Sequence, residues 1–248
     1  MYRDTGIIFI SPIIGITASL ISIFDSLKND GVDIEGVDIF ENQNVSKGLL
    51  TILGLTFLPG NNARRIAFAN RYNEHRLFEI ISSKLDHLIS RGKKKILIGG
   101  MSGGFIFAAR MAQISPDSDI APYALKARPF IRGVFGISPL IFYPKGVNQK
   151  GADLELIPPN LPTVLIWGDA DTIIPEGTIA YSQNIAQQRK HIKNRIIRGS
   201  DVGLKDGTIR HQFFGGRDFV KPLKNIFWNA SAERIALEEI RALVKSIQ

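Results

Sequence analysis

The chain has no cysteine among its 248 residues. Disulfides, thiolate catalysis and cysteine-ligated zinc are therefore excluded, and a reducing, cytoplasmic home is the simplest expectation. Histidine is scarce too, with four in all, so an imidazole base has only His75, His87, His191 and His211 to choose from. Acidic residues are in deficit, 23 against 31 Lys and Arg, for a net charge of +8 and a pI near 9.7. That balance permits an acidic partner, but the basic residues show no aromatic interleaving and no reader motif, so no nucleic-acid partner is expected. Internal repeats, low-complexity tracts and Pro/Gly/Ser-rich linkers are all missing, which leaves one domain over residues 1–248 as the expectation.

What the chain does have near its start is an uncharged run of eighteen residues, IIFISPIIGITASLISIF, from Ile7 to Phe24. A spanning helix needs about 20 apolar residues, and Pro12 and Gly15 interrupt this run in its first half. A buried strand at 6–10, a turn at 11–15 and a helix from about 17 to 29 closed by Gly31 is the preferred parse, with a targeting or anchor segment as its alternative. No stable membrane insertion is expected.

Beyond it, short apolar runs alternate with longer helical patterns, the signature of βαβ units and a parallel sheet covered on both faces. Strands are expected at 6–10, 33–39, 95–99, 131–137, 163–167 and 193–198, and helices at about 63–90, 103–114, 176–190 and 232–247. In the last helix Ala236, Ile240, Leu243, Val244 and Ile247 fall on one face. The expected fold is a three-layer α/β/α sandwich with a mainly parallel sheet of about six strands. Two irregular insertions, 41–62 and 138–160, follow strands and so belong at the sheet's carboxyl edge, where such folds bind ligands.

Gly100-Met101-Ser102-Gly103-Gly104 stands between the apolar run at 96–98 and a helical pattern. It fits G-x-S-x-G, a sharp strand-to-helix turn that lifts a serine hydroxyl above the sheet. The small flanking residues suit crowded backbones, and the amino end of the following helix favours an anion beside the serine. Serine is a poor nucleophile at neutral pH and needs an oriented base. Downstream, 161–175 reads LPTVLIWGDADTIIP, a strand ending at Gly168 with Asp169 and Asp171 just beyond. His211 follows the last expected strand, in GTIRHQFFGG. His75 and His87 fall on a helix as surface residues, and His191 precedes the last strand, at the far edge of the sheet.

The run Gly168 to Pro175 resembles the G-x-x-D-x-x-[VI]-P signature of the α/β-hydrolase superfamily. With G-x-S-x-G before it and a histidine after it, Ser102, Asp171 and His211 resemble that superfamily's catalytic triad, in its chain order. Asp171 matches the acid position; Asp169, its competitor, reads as a turn residue. The resemblance spans nearly the whole chain and is nearest to compact members without a large cap, the dienelactone-hydrolase-like and small esterase or thioesterase proteins. His211-Gln212-Phe213 is similar to the H-x-F found in some of them. The resemblance implies a reduced α/β-hydrolase fold lacking the first two antiparallel strands, and a serine hydrolase acting on a carboxylic ester or thioester. Such acyl-enzyme chemistry calls for neither metal nor cofactor.

One departure concerns the oxyanion hole. Family members usually carry His-Gly after the strand equivalent to 6–10, whereas this chain has Ser11-Pro12-Ile13. Pro12 has no N–H to donate, so Ile13 is the expected partner of the Gly103 N–H, with Ile14 the alternative. Ile14, Met101, Leu140 and Phe142, with Ile13 and Ile141, are candidates for an apolar pocket. The run 49–58 reads as core or as a wall or lid that would favour medium-chain acyl groups. Lys93 to Lys95 reads as a solvated charge run, and the sequons at Asn44 and Asn229 carry little weight. The alternatives to hydrolysis are acyl transfer through the same triad, or an inactive scaffold that keeps the fold.

Overall fold

The runs at 5–10, 95–101, 131–137 and 163–168 are buried almost throughout and present apolar side chains on both faces, so they demand cover on both, while 33–37 and 192–197 carry polar residues and pair at the two edges. The computed structural model describes residues 2–11, 24–38, 74–142, 150–171, 174–204, 208–209 and 229–248. Its elements, in chain order, are β1 (Thr5–Ile10), α1 (Asp25–Asn29), β2 (Asp33–Val37), α2 (Glu74–Ser90), β3 (Lys95–Met101), α3 (Gly104–Ala112), α4 (Ala121–Ala127), β4 (Ile131–Ile137), β5 (Thr163–Gly168), α5 (Thr178–Gln188), β6 (Ile192–Ile197) and α6 (Ala230–Ser246). The strands form one sheet in the order β2-β1-β3-β4-β5-β6, every pair parallel.

Alternation along each strand splits the core in two. Ile8, Ile10, Ile96, Ile98, Val134, Leu165 and Trp167 face α2, α3 and α5. Ile7, Phe9, Leu97, Phe135, Ile137 and Ile166 face the other way, onto Leu27 of α1 and Ala236, Ile240 and Val244 of α6. This is the three-layer arrangement expected from the pattern. Each fully buried Ile, Leu or Phe contributes about 1.5–3 kcal/mol relative to exposure, so both covers stabilise the sheet.

Ile7 to Ile10, the start of the long uncharged run, form a fully buried strand. Among the described residues no helix is long and apolar enough to cross a membrane. Residues 12–23 lie outside the described residues, as do the insertion 41–62 with its apolar run 49–58, and the expected helical stretch 63–73.

Several boundaries shift for physical reasons. β3 runs two residues past its expected end, to Met101, because it keeps pairing with β4 through Met101 and Ile137. α6 begins at Ala230, two residues early, because the Asn229 side chain accepts a hydrogen bond from the Ala232 N–H at 2.9 Å and caps the helix. Asn229 of the second sequon is thus occupied as a cap. The short α4, with Pro122 in its first turn, was not expected, since a seven-residue helix carries too little periodicity to detect. Nor was the charge run at 93–95 wholly solvated. Lys93 is 7% exposed, donating to the Arg3 carbonyl at 2.6 Å and lying 3.3 Å from Asp33. Its buried ammonium group finds both a carbonyl and a carboxylate.

Candidate active site

The direction of the chain across the sheet reverses between β1 and β3, since β2 was laid to one side of β1 and every later strand to the other. Connections leaving adjacent strands on opposite sides open a crevice at that carboxyl edge. Ser102 stands at this point, at the end of β3. Its backbone is in the left-handed region, with φ +51°, and it is 9% exposed. A β-carbon makes that conformation costly, by about 1–3 kcal/mol, so the surrounding structure must impose it.

Four contacts do so. The Ser102 N–H donates to the Ile137 carbonyl at 3.0 Å, and the Ser102 carbonyl accepts from Leu140 at 2.9 Å and from Phe105 at 3.2 Å. Ile106 closes the first turn of α3 onto the Gly103 carbonyl at 3.2 Å. The flanking glycines are required by space. A Cβ on Gly100 would overlap the Gly104 carbonyl group, and one on Gly104 would overlap the carbonyl oxygens of Ile10 and Ser11. The end of β1 is therefore pressed against the first turn of α3, beside the serine. Gly103, with φ −59° and ψ −28°, is the amino-terminal cap of that helix.

The neighbouring strand ends in a similar device. Ser138, just past β4, has φ +42°, is wholly buried, and its hydroxyl has no hydrogen-bond partner among the described residues. Nothing in the sequence marks Ser138 except its place directly after a strand. Of the pocket candidates, Met101 is fully buried in the cluster under α6, Leu140 is buried in the opposite cluster, and Phe142 is 39% exposed with its ring edge-on to Tyr181 at 4.9 Å.

Beyond β5 the two aspartates behave differently. Asp169 accepts from the Ile209 N–H at 2.6 Å through one oxygen and from the Gly199 N–H at 3.1 Å through the other. Asp171 accepts from the Ile174 N–H at 3.4 Å, a long bond. His211, Ile13 and Ile14 lie outside the described residues.

The other histidines are placed elsewhere. His191 immediately precedes β6 at the amino edge, its carbonyl accepting from the Thr163 N–H. His87 sits 2.6 Å from Glu35, and His75, on α2, lies beside Glu79 of the same helix and Tyr123 of α4. A cavity of about 360 Å³ lined by Ile114, Arg128, Arg132 and Pro159 also opens at the amino edge, away from Ser102. Among the described residues no group of three or more His, Asp or Glu side chains gathers that could hold a metal ion.

Helix α3 is held from below by a buried cation that the sequence did not announce. Arg110, 2% exposed, pairs with Glu74 at 2.8 Å and Asp117 at 3.2 Å and lies over the Phe78 ring. Asp117 also pairs with Lys150. Burial would raise the Asp117 pKa, but Lys150 and Arg110 together hold it below the ordinary carboxylate value.

Solved structures share this architecture. One assigned as a dienelactone hydrolase from Klebsiella pneumoniae superposes with a TM-score of 0.61 at 12% identity, covering 97% of this chain and 86% of that one. The fold is that of the α/β hydrolases. A dienelactone hydrolase-like promiscuous phosphotriesterase from metagenomic libraries follows at a TM-score of 0.59 and 11% identity, with 98% of this chain and 86% of that one covered. Thermogutta terrifontis esterase 2, in a form phosphorylated by paraoxon, gives 0.58 at 14%, with 98% and 83% covered. No protein-family model and no curated protein matches the sequence. Within the α/β-hydrolase fold, Ser102 occupies the strand-to-helix turn and Asp171 the loop after a later strand.

Proposed function

We propose that this protein is a serine hydrolase that cleaves a carboxylic ester or thioester through an acyl-enzyme on Ser102. The observation that carries the proposal is the strained backbone of Ser102, held between two glycines that have no room for a side chain. Strain of this kind persists only where neighbouring structure over-determines it, and it concentrates at functional positions.

In this reading His211 is the base and Asp171 the acid. Both oxygens of Asp169 are committed to backbone N–H groups, which favours Asp171 for the imidazole. His191, His87 and His75 are engaged away from the elbow. His211 takes the proton of Ser102 as its oxygen attacks the acyl carbon, and Asp171 holds the tautomer and stabilises the imidazolium. Gly103 and Ile13 supply the N–H groups for the oxyanion, helped by the amino end of α3. The close approach of Ile10 and Ser11 to Gly104 favours this pairing, because it brings the segment leading to Ile13 alongside the elbow. The proton on His211 passes to the departing alkoxide or thiolate; water, activated by the same imidazole, then releases the acid.

Leu140 and Phe142 belong to the turn fastened to Ser102 and, with Ile14, are the residues proposed to line the acyl site, whereas Met101 is buried in the cluster opposite to that of Leu140. The substrate is a small acyl ester or thioester, as befits a fold shared with an esterase solved with butyrate bound. Labelling by a fluorophosphonate probe tests the reading without a known substrate, since a structural neighbour is phosphorylated by paraoxon. Stoichiometric labelling of the wild type that disappears in Ser102→Ala is expected. A folded wild-type protein that stays unlabelled overturns it.

A further inference from the structure

Ile209 is fastened through both its N–H and its carbonyl to the residues just after β5. Its N–H donates to the Asp169 carboxylate at 2.6 Å, its carbonyl accepts from the Ala170 N–H at 3.0 Å, and its side chain is 2% exposed in the cluster under α6. Its carbonyl oxygen also lies where a side chain on Gly168 would have to be. The second Asp169 oxygen binds the Gly199 N–H, and the Asp169 N–H donates to the Ile197 carbonyl at 3.1 Å, so the same residue is tied to the end of β6.

His211 follows Ile209 by two residues, so its Cα lies within about 7.5 Å of that anchor by covalent reach alone. Asp171 follows Asp169 by the same two residues. One side chain thus stands at the root of both the acid-bearing loop and the segment that carries the base. We infer that Asp169 is a positioning residue, whose carboxylate fastens Ile209 so that His211 is delivered to Ser102. The inference rests on the triad proposed above.

A carboxylate is suited to this task because two N–H donors converge on its two oxygens, and an ionised acid is acceptor-only at both. Such charge-assisted bonds are also about twice as strong as neutral ones. In Asp169→Asn one donor would face an amide NH₂ and lose its partner, while size and shape stay the same.

The experiment compares the wild type with Asp169→Asn and Gly168→Ala, the latter displacing Ile209 while leaving the carboxylate intact. Hydrogen exchange at the Ile209 amide, and kcat and KM for p-nitrophenyl butyrate normalised to probe-titrated sites, are measured below each variant's melting temperature. Loss of Ile209 protection is expected in Asp169→Asn, with kcat down about 10- to 100-fold, since a misplacement near 1 Å costs on that order. KM should change less than threefold, because the acyl site is untouched.

The pH at which kcat is half-maximal should stay in place in Asp169→Asn and move down in Asp171→Asn, which removes the charge beside the imidazole. Unaltered Ile209 protection, or wild-type kcat despite its loss, overturns the positioning role while leaving the triad standing. Should Asp169→Asn fail to fold, Gly168→Ala decides by the same kcat-against-KM criterion. A wild type that neither labels at Ser102 nor turns over ester overturns the triad and the positioning role together.

Discussion

The backbone N–H of Leu140 donates to the carbonyl of Ser102 at 2.9 Å, so the turn leaving β4 is fastened to the turn leaving β3. Both turns contain a serine with positive φ, at Ser102 and Ser138, and these are the only two such non-glycine residues among those described. The elbow is thus braced from its neighbour strand as well as from its own helix.

That strain has a measurable consequence. Ser102→Gly removes the β-carbon that makes φ +51° costly, whereas Ser102→Ala keeps it. Both variants should lose ester turnover, but Ser102→Gly should be more stable than Ser102→Ala by about 1 kcal/mol. Urea denaturation of the two proteins checks this, and equal midpoints would show that the backbone relaxes.

Gly104→Ala should be among the most damaging single-methyl changes in the chain. Its new Cβ would overlap the backbone oxygens of Ile10, the last residue of β1, and of Ser11 just beyond it, which cannot rotate aside. A loss of about 3 kcal/mol is expected, at the upper end for overpacking, with the elbow displaced. Gly92→Ala, at φ +81° with open space around it, is the control and should cost only about 1 kcal/mol. Chemical denaturation distinguishes the two.

Arg110 is the test of how α3 is held. Arg110→Ala leaves Glu74 and Asp117 without their buried partner and should destabilise by about 3–5 kcal/mol. Arg110→Met, of similar length, should recover part of that through packing on Phe78. Thermal melts at one pH give the order; a surface-like loss below 1 kcal/mol would deny the pairing.

His191 should make stability depend on pH near neutrality. Burial first, then the charge of Arg189, lowers its pKa below the ordinary 6.5, against an opposing hydrogen bond to the Ile157 backbone. The unfolded chain therefore binds this proton more readily, so its contribution is complete above about pH 6.5 and declines as pH falls toward the folded value. An NMR titration should place the His191 midpoint below that of an exposed histidine. His191→Gln should flatten the fall in melting temperature between pH 7 and pH 5.

The contrast between Ser102 and Arg110 explains what was legible in the chain. Ser102 could be found because its turn needs glycine on both sides within five residues, a local requirement written locally. Arg110 sits in GFIFAARMA, where nothing distinguishes a buried arginine from a surface one. Its burial follows from Glu74 and Asp117 arriving from other elements. The burial of Lys93 is illegible for the same reason, its partners Arg3 and Asp33 coming from far along the chain.

The sequence by itself determined the alternating elements, the parallel six-stranded sheet and the place of the serine turn, because apolar period and glycine spacing act over a few residues at a time. Only the tertiary structure decided that Gly104 abuts β1, that Leu140 clasps Ser102, and that Asp169 holds Gly199 and Ile209. Those contacts join residues 30 to 94 positions apart, and it is the order of strands across the sheet, not any local preference, that brings them within reach.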